Sequence, residues 1–177
     1  MEDGINTLIA GLQDLKGKAF WQRLVAITER FEFKEIEKGV FSAANPGNPD
    51  FDRLLTVAHK ARAFGYIVYI LPNPRGVSSA DFIFRNKNSY KLYELKTIYG
   101  KNSLGNRLHE SVEQSDRVVL NLTNSYKIRR LADDITRHFK LSSNAREVLI
   151  FFRRQRITIM RTDADYLLWK KLMKHFK

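Results

Sequence analysis

Cysteine is missing from all 177 residues. That excludes a disulfide framework and any cysteine-based zinc site. It fits a reducing cytosol, and equally a protein that must unfold to cross a membrane. Acidic side chains are scarce as well: 19 Asp and Glu face 31 Lys and Arg, a net charge of +12. Such an excess points to an anionic partner, with nucleic acid first among the candidates. A solubilising surface, or a docking face for an acidic protein, is the alternative. The excess is uneven, since Lys140–Lys177 holds 10 cations against 3 acids and so carries +7 of the +12. No long apolar run opens the chain. MEDGINTLIAGLQDLKGKAF begins acidic, and polar residues interrupt its apolar positions. Neither a signal peptide nor a membrane anchor is expected there.

Proline is sparse, with 4 in the chain, and two of them share SAANPGNPD (Ser42–Asp50) with a glycine. This stretch reads as a linker. It separates an expected N-terminal helical region, 1–45, from a main α/β domain, 46–177. In the first region Ile5, Leu8, Ile9, Leu12 and Leu15, then Phe20, Trp21, Leu24, Val25 and Ile27, recur at helical spacing, with Gly17 a break. Phe31–Phe41 is readable as a short strand or a helix end.

The main domain opens with a helix that Asp50 or Asp52 can cap and Gly65 can end. Strands are expected at Tyr66–Leu71, Asp81–Arg85 and Tyr90–Lys96, the last two joined by a turn at Asn86–Ser89. A helix follows at Leu104–Ser115, a buried strand at Arg117–Leu122 and a helix at Ser125–Phe139. A hairpin, Glu147–Arg153 and Arg156–Met160 around Arg154–Gln155, leads to a last helix, Asp163–Phe176. The three consecutive strands should pair antiparallel. The strand after the Leu104–Ser115 helix should return parallel to one of them. The fold class is α/β, a mixed sheet with helices on both faces.

Three charges interrupt the most strand-like stretch: Asp81 opens one strand, and Glu94 and Lys96 close the next. Alternation puts Glu94 and Lys96 on one face with Leu92. A hairpin brings the start of one strand beside the end of the other, so Asp81 joins them if the register keeps it on that face. Two crowded carboxylates repel, and a divalent cation removes the conflict. Mg²⁺ binds through one or two carboxylates, waters and substrate phosphate; Mn²⁺ and Zn²⁺ are alternatives. The Leu95 carbonyl is a further candidate ligand. Lys96 could then face the negative charge of a phosphodiester under attack. The competing reading is a pair of edge acids with a cross-strand salt bridge.

AFGYIVYILP, SSADFIF, YELKT and EQSDRVVLNL together resemble the PD-(D/E)XK nuclease superfamily. The likeness covers Asp52–Leu122 and is nearer to the nuclease domains of contact-dependent growth-inhibition (CdiA-type) toxins. It implies a helix–strand–strand–strand–helix–strand core, with Asp81 and Glu94 as metal ligands and Lys96 as catalytic lysine. It implies tRNA as a substrate, with DNA the other option, and an acidic immunity partner. The site of action would be the cytoplasm, with delivery from another cell as one route. Gln114 matches a glutamine that some such nucleases carry on the following helix. Ala80 stands where the superfamily motif has proline. No acid lies between Arg53 and Phe64, so a third carboxylate would come from elsewhere, with Glu110 and Glu113 as candidates.

Around this core, Ser103 and Asn102 could donate to a phosphate, and Arg107 shares a helix face with Glu110, Gln114 and Arg117. Arg153, Arg154 and Arg156 at the hairpin, and Lys170, Lys171 and Lys174 on the last helix, are candidate phosphate contacts. His59, His109, His138 and His175 show no zinc spacing. Two other functions fit parts of the pattern. One is a metal-independent, barnase-like ribonuclease. The other is a non-catalytic basic module that binds nucleic acid.

Overall fold

The computed structural model describes residues 4–73, 79–99, 104–111, 115–163 and 165–176, without the side chains at 109, 111, 165 and 166. Among these residues, eight strands and six α-helices make an α/β protein with a mixed sheet. The chain divides into two compact units, Met1–Tyr93 and Glu94–Lys177. The division does not fall near residue 45, where composition changes.

In the first unit, helices α1 (Ile5–Ala10) and α2 (Gly17–Thr28) flank a 3₁₀ turn at Gly11–Asp14. They share one core with the sheet: Ile5, Ile9, Leu12, Leu24 and Ile27 pack with Tyr69, Ile83 and Leu92. Apolar residues at helical spacing need a partner surface, and here the strands supply it. Strands β1 (Lys34–Glu37) and β2 (Val40–Ser42) form a small hairpin across the region whose sequence was ambiguous. Every residue of β1 is exposed, so no apolar alternation marks it. The NPGNPD segment folds as two successive turns. Asn45 Oδ1 accepts from Gly47 N–H at 2.9 Å, and Asn48 Oδ1 accepts from Asp50 N–H at 2.9 Å. These side chains replace lost backbone partners beside the prolines.

Helix α3 (Phe51–Ala63) buries Leu54, Val57, Ala58 and Ala61. Asp50 stands at its N-cap without a side-chain cap bond; it pairs instead with Arg53, 3.0 Å away. Gly65, at φ +88°, stops the helix as expected. Strand β3 (Ile67–Ile70) then runs parallel to β2 and antiparallel to β4 (Phe82–Asn86). β4 pairs antiparallel with β5 (Ser89–Ile98), from Asn86–Ser89 at the hairpin to Phe82–Tyr93.

In the second unit, Glu94–Ile98 of β5 runs parallel to β6 (Arg117–Leu122), and β6 parallel to β7 (Glu147–Phe152). β8 (Gln155–Met160) closes an antiparallel hairpin on β7. The hairpin turns at Arg153–Arg154, one residue earlier than the sequence suggested. Helices α4 (Leu104–Ser111), α5 (Ile128–Leu141) and α6 (Asp165–His175) complete the unit. Leu104, Leu108, Leu131, Ile135, Leu168 and Leu172 from these helices share a core with Ile98, Val118, Leu120, Leu122, Val148 and Ile150. That list fixes one sheet face: the even-numbered positions of β5, β6 and β7 lie under the helices. No helix of the described residues is long and apolar enough to cross a membrane.

Candidate active site

β5 carries the unusual residues. From Leu92 onward every side chain of this strand is buried, the pattern of a strand covered on both faces. Glu94 and Lys96 nevertheless sit inside it. Their side chains are 5% and 10% exposed, and Lys96 Nζ lies 3.2 Å from Glu94 Oε1. In the parallel ladder they stand opposite Val118 and Leu120. Alternation gives them the face of Ile98, the one covered by α4 and α5. An ion pair in such company loses hydration on both charges, and mutual attraction offsets only part of that loss. Thr97, on the other face, is buried too, and its hydroxyl has no partner among the described residues.

Two clamps fix the end of β5. Thr123 donates its hydroxyl to the Ile98 carbonyl at 2.8 Å, and Asn124 donates its amide to the Tyr99 carbonyl at 2.7 Å. The sequence reading missed both residues; their position just past a buried strand was the available signal.

Asp81 belongs to the first unit. It sits at a bend one residue ahead of β4, half-buried. Its N–H donates to the Tyr93 carbonyl at 3.0 Å, and its carbonyl accepts from Leu71 N–H at 2.9 Å. The regular ladder ends at Phe82 opposite Tyr93, so strand alternation does not extend to Asp81. The paired register reaches Phe82, one residue short of Asp81. Tyr93, which accepts its amide, is the residue before Glu94 in the chain.

The oxygen donors named from the sequence are the Asp81 and Glu94 carboxylates and the Leu95 carbonyl. This hard-oxygen set is the kind that Mg²⁺ takes, since that ion needs only one or two carboxylates and keeps water in its remaining positions. Among the described residues, no group of three or more His, Asp or Glu is arranged to hold a metal ion.

No family model, curated protein or solved structure matches this chain.

The expected phosphate contacts are spread across the second unit. Gln114, Ser103, Asn102 and Glu113 lie outside the described residues, as does the His109 side chain. Arg107 lies 3.8 Å from Glu110 on α4. Arg153 and Arg154 are exposed at the hairpin tip, and Arg156 is half-buried on β8. Lys170 and Lys174 are exposed on α6, whereas Lys171 is engaged: its ammonium donates to Asp163 Oδ2 at 2.9 Å and to the Thr158 carbonyl at 3.3 Å. It ties α6 to the sheet.

Other buried polar groups escaped the sequence reading. Glu147 is 1% exposed and accepts from Arg117 Nε at 3.1 Å. Asp116 accepts from both Arg117 and Arg146. A pocket of about 200 Å³ is lined by Gly105 and Asn106 of α4 and by Asp134, Arg137, His138, Leu141 and Ser142. Asp134, His138 and Ser142 recur every four residues, so a polar stripe along α5 and its C-cap was visible in principle. Burial pushes the Asp134 carboxyl above its ordinary value, against the pull of Arg130 and Arg137. Burial likewise raises the Tyr126 hydroxyl, which lies 3.5 Å from Asp134.

Proposed function

We propose that this chain is a metal-dependent nuclease that hydrolyses phosphodiester bonds, RNA and tRNA in particular ahead of DNA. The observation that carries the reading is the buried Glu94–Lys96 pair, 3.2 Å apart on one strand face. Supporting it is the order of elements around that pair: α3, the antiparallel run β3–β4–β5, then α4 and the parallel strand β6. That order is the one the PD-(D/E)XK resemblance implies. The net charge of +12 supplies the attraction for a polyanion. The tRNA preference, an acidic immunity partner and action in the cytoplasm after delivery from another cell rest on the resemblance to growth-inhibition toxins alone.

On the resemblance, Asp81 and Glu94 would be ligands of a divalent cation, Mg²⁺ by donor type, with the Leu95 carbonyl a further candidate; when bound the ion would supply Lewis-acid activation of water. In the reaction, water adds to phosphorus and one P–O ester bond breaks, leaving a phosphate monoester and a free hydroxyl. Lys96 fixes the Glu94 carboxylate through its ammonium and presents positive charge toward the negative charge that grows on the phosphoryl oxygens. A fixed charge in a low-dielectric setting acts more strongly than one in water, and it needs no reorganisation during the reaction.

A second reading is favoured by the same burial. Two side chains this enclosed and paired with each other also suit a structural ion pair inside a non-catalytic, nucleic-acid-binding module. Incubating the purified chain with total tRNA and with plasmid DNA, in Mg²⁺ and in EDTA, separates the two. The nuclease reading expects Mg²⁺-dependent cutting that Asp81→Ala and Lys96→Ala abolish. Cutting that survives EDTA and leaves cyclic phosphate ends would favour the barnase-like alternative. Binding without cutting would favour the module.

A further inference from the structure

We propose that the tip of the β7–β8 hairpin, Arg153–Arg154, is a binding element for the phosphodiester backbone of a nucleic acid. Its backbone is held in a shape that its own residues disfavour. The proposal rests on the polyanion part of the reading above and not on chemistry at Glu94.

The first observation is conformational. Phe152 and Gln155 are paired, so the loop between them has two residues. Arg153 takes φ +53° there. Two-residue hairpins that need positive φ favour glycine, asparagine or aspartate, because a Cβ there crowds the following carbonyl oxygen and only a short polar side chain offsets this by local hydrogen bonds. Among the described residues, Lys87 is the one other non-glycine at positive φ. Its hairpin is tied down: the Lys87 carbonyl accepts from Arg85 Nε at 3.0 Å, and the Asn88 carbonyl accepts from Trp21 Nε1 at 3.1 Å. No such bond holds the Arg153–Arg154 turn among the described residues.

The second observation concerns partners. The arginines that serve structure in this unit have them. Arg117 reaches Glu147, Arg146 reaches Asp116 at 3.1 Å, and Arg161 donates to the carbonyls of Ser142 and Ala145 at 2.9 and 3.0 Å. Neither Arg153 nor Arg154 has a carboxylate or carbonyl partner for its side chain among the described residues.

The third is posture. The Arg153 guanidinium lies over the Phe152 ring, 5.0 Å from its centroid. Phe152 in turn stacks on Phe176, with centroids 4.9 Å apart and planes 14° from parallel. A guanidinium over an aromatic ring is attracted to its face, and its planar fork of N–H donors matches phosphate oxygens. Part of the ordering that a flexible cation would undergo on binding is thus already done.

The test compares Arg153→Gly and Arg154→Gln with Lys140→Gln, which removes an exposed charge from α5. Binding of a labelled single-stranded RNA, and of a duplex DNA of the same sequence, is followed by anisotropy in EDTA across a salt series. Arg153→Gly is expected to melt at a higher temperature than wild type and to bind more weakly. Its plot of log affinity against log salt should be shallower by roughly one unit. Arg154→Gln should weaken binding with its melting temperature unchanged. Loss in one arm alone assigns the polymer. Wild-type affinity in both arginine variants, losses no greater than that of Lys140→Gln, or no binding by wild type at low salt would overturn the proposal. Binding is read in EDTA and cutting in Mg²⁺, so failure of the chemistry and failure of this surface give different results.

Discussion

Glu94 and Lys96 each carry a full charge into a place built for leucine and valine. Removing one member of such a pair takes that counter-charge from a buried group, at a cost of about 3–5 kcal/mol. Asp134 is a milder case. Its carboxyl titrates above the ordinary 3.8 because burial disfavours the charged form. The folded state therefore takes up a proton at higher pH than the unfolded state does. At neutral pH Asp134 costs stability; as pH falls through its folded value toward 3.8 that cost disappears, and below 3.8 nothing more is gained. Asp134→Asn should raise the neutral-pH melting temperature and remove the acid-side gain relative to wild type. Thermal melts of both proteins from acid to neutral pH check this, and parallel curves would contradict it.

At the scale of elements, the turns decide where strands begin. Gly39 joins β1 to β2 at φ +79°, and a Cβ there would stand 2.5 Å from Arg62 Cζ. Arg62 is itself in use, donating to the Tyr66 carbonyl at 2.8 Å. Gly39→Ala should cost at least ~1 kcal/mol from backbone strain alone, measured by urea denaturation; an unchanged midpoint would contradict this account of the turn. β3, β4 and β5 were legible because each carries aliphatic and aromatic residues between turn residues, and their antiparallel order followed from short connections. The parallel return of β6 followed from the helix between. β1 and β2 were not legible, because KEIE buries nothing and VFS is too short to show a period. The N-terminal helices were visible by spacing, but the surface they cover was not, since their partner strands lie far along the chain. At the candidate site, the Glu94–Lys96 pairing was readable from alternation. The position of Asp81 was not, because the chain bends before β4 and breaks the two-residue period there.

For the molecule as a whole, the dominant quantity is charge. A net +12 makes any grip on nucleic acid an exchange of protein cations for condensed counterions. For single-stranded RNA, a four-fold rise in salt should weaken binding about 2.6-fold for each phosphate neutralised. A titration from low to moderate salt reads this directly, and salt-independent binding would contradict the electrostatic account. The most direct measurement concerns the buried pair. In the double variant Glu94→Gln, Lys96→Met both charges are gone and volumes are nearly kept, so the fold should survive where either single variant is weakened. This variant is expected to melt near wild type and to cut neither tRNA nor DNA in Mg²⁺. A folded double variant that cuts at the wild-type rate would contradict it.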